Sequence, residues 1–281
     1  MVDRRIKIII VLLIGVCFSA TLLFAWPWSK KSAPPSKKQA AVMPSPDEVD
    51  VTEWNKKMFT ERIDPATVGG DKEALAHAYH QKAVALLNKY YKDGDLKDLY
   101  TALNCTGEAI MLNPDKAIYW ATLGDTHTEM SRFKIFGAQA NAIHSYKQAL
   151  KLDPDDAPVM MLLGVQLAKL AEYKEALDYF EKGLEKAPHL MSSNIAQWMN
   201  VCYLGGAQTK RGTIFYEDFM KANPEYYYLR IYKVILYESH FDYGSAELEL
   251  NKVIADSKAD RDTKKFASSM LKNIQNKEVA E

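Results

Sequence analysis

Six histidines and three cysteines are the residues of this chain that could bind a metal or act as nucleophiles. His77 and His80 are three positions apart, a spacing that puts both imidazoles on one face of a helix. A structural zinc site needs four ligands, and no further His or Cys is close enough to complete the set. Cys17, Cys105 and Cys202 are too few and too scattered for a disulfide framework. The sequence therefore predicts a surface histidine pair, buried thiols, no metal and no cofactor.

Motifs for catalysis are missing from the sequence. There is no HExxH zinc motif, no CxxCH for haem attachment and no phosphate-binding glycine loop. Gly69-Gly70 and Gly205-Gly206 are not framed by a strand and a helix, so both are predicted to be turns. The 36 basic and 36 acidic residues cancel, whereas a nucleic-acid-binding domain normally carries a basic face. The sequence thus argues against an enzyme, a small-molecule substrate and a nucleic-acid partner.

The first structural element along the chain is an uncharged, apolar stretch at residues 8–25. With Trp26 to Trp28 it approaches the ~30 Å thickness of a bilayer core, and tryptophans are typical of the interface. A cleaved signal peptide is the alternative, but cleavage at the end of the stretch would put the bulky Leu23 where a small residue is needed. We predict that residues 1–28 are a single transmembrane anchor with a short cytoplasmic tail.

Residues 29–70 are predicted to be a linker. Its first part contains four prolines and four lysines, a composition typical of an extended spacer with a reach of up to ~70 Å. Because basic residues flank the anchor on both sides, the positive-inside rule leaves the orientation open. We expect a single-pass protein of a bacterial inner membrane with its C-terminal domain in the periplasm, or alternatively on the cytoplasmic face.

From residue 71 onward, apolar residues recur three and four positions apart, which predicts helices. Four prolines, Pro114, Pro154, Pro188 and Pro224, each follow the end of such a stretch, at spacings of 40, 34 and 36 residues. A regular spacing of this size indicates a repeat of helix pairs with small insertions.

The residues within these units resemble the tetratricopeptide-repeat (TPR) family. In 157–190 the family signature is matched by Leu163, Gly164, Ala176, Phe180 and Pro188, and in 117–156 by Trp120, Leu123, Gly124, His127, Ala142, Tyr146, Ala149 and Pro154, with the second helix displaced by six residues. The resemblance implies an all-α fold in which helix pairs stack into a solenoid. It is weaker in the flanking segments 73–116, 191–224 and 225–258, and residues 260–277 are predicted to form a capping helix.

In the TPR family, the first helix of each pair lines a groove that binds peptides. Carried over by position, the groove residues here are Ile118, Ala121, Asp125, Thr128, Glu129, Met161, Val165, Lys169, Asn194 and Gln197. The insertion 132–137 adds Phe133 and Phe136, which would form a second partner-binding patch if they face solvent. The alternatives are that Met161 and Val165 pack against the next unit and that the loop aromatics fold back onto the helices.

The expected function is therefore a membrane-tethered scaffold or adaptor that binds a peptide or helix of a partner protein. The alternative is an assembly factor of the type used in cytochrome c maturation, which holds the tail of an apoprotein; this rests on similarity of architecture alone.

Overall fold

A computed structural model describes residues 62–278 of the chain. The predicted anchor and nearly all of the predicted linker lie outside these residues. Among the helices that the structure does describe, none is both long and apolar enough to cross a bilayer.

The described residues form α-helices and short 3₁₀ turns, with no β-strand among them. The α-helices are α1 (Lys72–Asp93), α2 (Leu96–Leu112), α3 (Ala117–Arg132), α4 (Ala138–Leu152), α5 (Ala157–Lys169), α6 (Tyr173–Lys186), α7 (Ser193–Gly205), α8 (Thr209–Ala222), α9 (Leu229–Glu238), α10 (Tyr243–Ala255) and α11 (Arg261–Glu278). Each odd-numbered helix up to α9 packs against the even-numbered helix that follows it. We call these the first and second helix of a pair.

The prolines account for where the second helices end. Asn113, Asp153, Ala187 and Asn223 each precede a proline, and each lies outside the helical region, with φ of −144°, −129°, −137° and −134°. A residue before proline is pushed out of the helical region by the proline ring, so the helix stops there. The chain then turns into the first helix of the next pair.

Small residues let the two helices of a pair approach closely. A methyl group built on Gly124 of α3 would lie 2.5 Å from Cδ1 of Tyr146 in α4, and one on Gly164 of α5 would lie 2.8 Å from Cε1 of Phe180 in α6. Both rings are fully buried. Each glycine therefore leaves the space that the facing aromatic ring occupies.

The turns inside the α5–α6, α7–α8 and α9–α10 pairs share one geometry. Ala171, Ala207 and Phe241 have φ of 62°, 53° and 60°, and the amide that follows each donates to a carbonyl in the last turn of the first helix. This is the usual left-handed ending of a helix, here made without glycine. The α3–α4 connection is longer and spans residues 133–137.

The largest core cluster is continuous from α3 to α9 and crosses every pair in between. Smaller clusters join α1 and α2 to α3, and α9 and α10 to α11. A core that runs through successive pairs, each touching mainly its neighbours, is the arrangement of a solenoid. The all-α, TPR-like solenoid predicted from the sequence is thus confirmed.

A buried ionic network ties the later pairs together. Lys233 of α9 lies 2.5 Å from Glu217 of α8 and 3.2 Å from Glu249 of α10, and Glu249 also binds Arg230 and Lys252, each at 2.8 Å. Lys233 and Glu249 are both almost completely buried. The network joins five charged side chains, and it pairs the two buried charges, Lys233 and Glu249, with opposite charges where water cannot solvate them.

Candidate peptide-binding groove

The first helices of successive pairs lie side by side. Between α1 and α3, His80 Nε2 lies 3.0 Å from Thr122 Oγ1, and the His80 and Tyr119 rings are 4.8 Å apart. Between α7 and α9, the Asn200 side-chain amide donates to the Tyr232 carbonyl at 2.9 Å. Among the first helices, α1 packs against α3, α5 against α7 and α7 against α9. We call the outward side chains of α1, α3, α5 and α7 the groove.

The residues predicted from the TPR pattern divide into three classes in the structure. Exposed are Ile118, Phe133, Phe136, Lys169, Asn194 and Gln197; half-buried are Asp125, Thr128 and Val165; buried are Ala121, Glu129 and Met161. The exposed and half-buried members supply surface that a partner can reach. The buried members instead pack inside the solenoid.

Met161 illustrates why a groove position becomes a core position. Its terminal methyl group lies directly over Gly183 of α6, where a side chain on the glycine would collide with it. The long thioether fills a gap that the missing side chain leaves. Met161 thus stabilises the α5–α6 pair rather than lining the groove.

Asp125 and Thr128 are held in place by the second helix of their own pair. The Tyr146 hydroxyl donates to Asp125 Oδ1 at 2.8 Å and lies 3.1 Å from Thr128 Oγ1. Burial, the largest influence, raises the pKa of Asp125 above its usual value, although the bond from Tyr146 acts in the opposite direction. Asp125 is therefore a fixed, half-buried carboxyl group at the edge of the groove.

Glu129 is buried one turn further along α3. Its Oε2 accepts from Arg132 at 2.9 Å and more weakly from the Tyr90 hydroxyl at 3.5 Å. The bond to Tyr90 links α3 to α1. Glu129 consequently holds two first helices together beneath the surface.

The ends of α1, α3 and α5 bring several titratable side chains near one another. Tyr91 at the end of α1 is 53% exposed, yet partial burial is the largest of the causes that raise its pKa to about 12, followed by the charges of Glu129 and Asp125. Lys169 at the end of α5 is also exposed, and burial is the main cause that lowers its pKa, with Arg132 next. The charges named as causes place the ends of these three helices within electrostatic range of one another.

The sequence reasoning missed the contribution of α1. An open cavity of about 340 Å³ runs along this helix and is lined by His77, His80, Gln81, Val84, Ala85 and Asn88. Ala83 is fully buried and takes the small-residue position that Gly124 and Gly164 take in later pairs. Counting from Ala83 would have placed His77, His80 and Val84 in the groove.

The histidines of α1 are better suited to hydrogen bonding than to metal binding. His77 Nε2 lies 2.9 Å from the Gln81 side-chain amide, and His80 Nε2 is engaged by Thr122. Burial and then the neighbouring His77 lower the pKa of His80, so its ring is neutral at pH 7. Within residues 62–278, no three His, Cys, Asp or Glu side chains come together as a metal site would require.

The cysteine side chain that the groove helices bury is chemically quiet. Cys202 of α7 is completely buried, and burial raises its pKa to about 12. A nucleophilic cysteine needs a lowered pKa and access to solvent. Cys202 has neither, so it acts as a small apolar core residue.

Comparisons with known proteins agree with this architecture. No family model matches the chain. Over 107 residues it is 32% identical to the small glutamine-rich tetratricopeptide repeat-containing protein 2 of Mycosarcoma maydis. The match covers 38% of this chain and 29% of that protein, so it spans under a third of the relative's length.

Among solved structures, the chain is similar to YrrB, described as a TPR protein with an unusual peptide-binding site. The TM-score is 0.52 with 17% identity, over 73% of this chain and 96% of that one. The MamA protein aligns with a TM-score of 0.48 and 16% identity, over 63% of this chain and 86% of that one. At this level of identity, the likeness to YrrB concerns the fold alone, which is a TPR-like α-solenoid.

Proposed function

We propose that the chain is a membrane-tethered adaptor that binds a peptide or helix of a partner protein in the groove. The observation that carries the proposal is the open cavity along α1, on the side where His80 of this helix contacts Thr122 and Tyr119 of α3. A stacked-helix solenoid without a catalytic constellation in its described residues has this surface as its main chemical feature. YrrB, which this chain resembles in fold, is described as having a peptide-binding site, and this supports the same class of function.

The chemistry of the groove suits an amphipathic segment. Ile118, Val84 and Val165 offer apolar surface, while Asn88 and Gln197 offer amide groups that both donate and accept. An apolar stripe with amides beside it fits a helix that presents residues at i, i+3, i+4 and i+7. A partner helix of that pattern is the ligand we propose.

Two matched substitutions test the groove. Val84 is 37% exposed in the α1 cavity, and Ile214 is 52% exposed on α8, a second helix outside the groove. Val84→Asp should leave helicity and melting unchanged but weaken recovery of partners by the full chain about tenfold, since a charge opposite an apolar contact costs about 1.4 kcal/mol or more. Ile214→Asp should recover the same partners as the unaltered chain.

The readout is affinity purification from membranes of the source cell, with photo-crosslinking from groove position 84 and from position 214. The proposal is supported if the crosslinker at position 84 forms adducts and these are lost when a neighbouring apolar groove residue is replaced by Asp. Equal adducts from both positions would reject the groove as the binding surface.

The membrane tether is tested separately. The full chain should float with vesicles after alkaline carbonate extraction, and a chain without residues 1–28 should not. Protease protection of the C-terminal domain in spheroplasts then decides between the proposed periplasmic side and the cytoplasmic side. Extraction of the full chain by carbonate would reject the tether and leave the groove proposal standing.

A further inference from the structure

The α3–α4 loop combines an anchored base with a projecting aromatic ring. Ile135 packs into the core cluster around Leu99 and Ala102, and the Phe133 ring lies edge-on to Tyr90 with ring centres 6.5 Å apart. Phe136, by contrast, is fully exposed. The two inward contacts hold the loop while Phe136 projects into solvent.

Positive charge accompanies the aromatic side chains. Lys134 is exposed at the tip of the loop with a φ of 58°, and Arg132 is exposed where α3 ends. Arg132 is partly compensated by Glu129, whereas no carboxylate of the described residues forms an ion pair with Lys134. An aromatic ring beside a lysine with which no described carboxylate pairs is the combination found where proteins meet the interface of an anionic bilayer.

The size of the patch separates a lipid surface from a protein partner. A stable protein interface buries about 800 Å² on each side, whereas one fully exposed ring and the exposed part of Phe133 supply a small fraction of that area. A bilayer needs no complementary pocket, because the ring can enter the headgroup region on its own. The geometry therefore fits a lipid surface better than a folded partner.

We propose that this loop inserts Phe136 into the headgroup region of the anionic bilayer to which the chain is tethered, with Lys134 contacting lipid phosphates or carboxylates. The inference rests on the membrane tether of the proposed function. One ring and one lysine give a weak site for a free protein. A tether of the predicted length makes the same contact intramolecular, at an effective concentration near the millimolar range, so that a weak site suffices.

A pair of labelled chains tests the loop. In the full chain with Cys17 replaced by Ser, Phe136→Cys carries an environment-sensitive fluorophore. Met111→Cys is the control, because Met111 is 72% exposed and apolar but lies at the end of α2, on the opposite edge of the solenoid from the α3–α4 loop. Both chains are reconstituted into protein-free vesicles with and without anionic lipid, and into vesicles containing nitroxide-labelled lipid.

The expected result is a blue-shifted emission and nitroxide quenching at position 136 in anionic vesicles, with neither effect at position 111. Lys134→Glu in the chain labelled at 136 should abolish the shift without changing the circular dichroism. Identical responses at both positions would overturn the inference. So would a probe at 136 that is silent in protein-free vesicles but shielded in native membranes, which would assign the loop to a protein. If the chain floats with the vesicles but the probe at 136 is silent, insertion of the loop is refuted and the membrane tether stands. If the chain does not float, the membrane tether itself is refuted.

Discussion

Replacement of Gly124 by alanine tests whether the α3–α4 pair is held by close approach of its helices. The added methyl group would lie 2.5 Å from Cδ1 and 2.9 Å from Cζ of Tyr146, distances that real side chains do not tolerate. The Tyr146 ring cannot swing aside easily, because it is fully buried and its hydroxyl is fixed by Asp125 and Thr128. The helix or the ring must therefore move.

The magnitude follows from two opposing terms. Alanine in place of glycine inside a helix stabilises the folded state by about 1 kcal/mol. Overpacking a well-filled core costs about 1–3 kcal/mol, and the pinned ring places this site near the upper end. The net prediction is that Gly124→Ala lowers the free energy of unfolding by about 2 kcal/mol, which corresponds to a shift of about 1 M in the urea midpoint.

The control is Gly244→Ala near the start of α10, where an added methyl group meets nothing within 4 Å. It should raise the free energy of unfolding by a few tenths to about 0.5 kcal/mol. Urea titrations followed by circular dichroism compare both variants, and hydrogen exchange in α3 and α4 localises the loss. In the background of Tyr146→Leu, which removes the ring, the Gly124→Ala penalty should fall by more than half. If Gly124→Ala is as stabilising as Gly244→Ala, the close-approach reasoning is wrong.

Three further predictions concern the loop, a turn and the ionic network. Phe133→Ser with Phe136→Ser should cost less than about 1 kcal/mol because Phe136 is fully exposed and Phe133, 45% exposed, makes an edge-on ring contact with Tyr90 alone among the described residues; a melting temperature lower by more than about 4 °C would contradict this. Ala171→Gly should stabilise by about 0.5–1 kcal/mol in urea, since φ there is 62°, and Gly94→Ala at φ 73° should destabilise by a similar amount; equal signs would refute the turn argument. Burial, the largest influence, acts to raise the pKa of Glu249, but hydrogen bonds from Lys252 and Arg230 hold it below its usual value. Its stabilisation is therefore complete above the unfolded pKa of about 4.3 and is lost as pH falls through the lower folded value, so Glu249→Gln should flatten the acid limb of the unfolding midpoint measured against pH.

The sequence predicts the helix ends and the close helix approaches, because local backbone and steric rules determine both. Proline restricts the residue before it whatever the surroundings, so Pro114, Pro154, Pro188 and Pro224 predicted the ends of the second helices. Gly124 and Gly164 likewise indicate that two helices approach closely, because glycine destabilises the interior of a helix and is expected there where a larger side chain would not fit. The solenoid followed from these residues together with the apolar period.

The surface of the groove depends on contacts between residues far apart in the sequence as well as on neighbours, and no local rule fixes the former. Met161 is buried because Gly183, 22 residues later, leaves room for it. Glu129 is buried because Tyr90 and Arg132 supply its hydrogen bonds from either side. The α1 cavity escaped notice because Ala83 replaces the signature glycine and the polar His77 and His80 resemble an ordinary solvated face.

The unequal sizes of the core clusters mean that the solenoid does not open evenly. Its middle, from α3 to α9, shares one cluster and so melts as a unit, whereas α1 and α2 rely on two small clusters against α3. The α1 end of the groove therefore belongs to a terminal segment that should open more easily than the middle of the solenoid. A ligand that contacts both α1 and α3 would hold α1 in place. Its binding should therefore slow hydrogen exchange in α1 and α2.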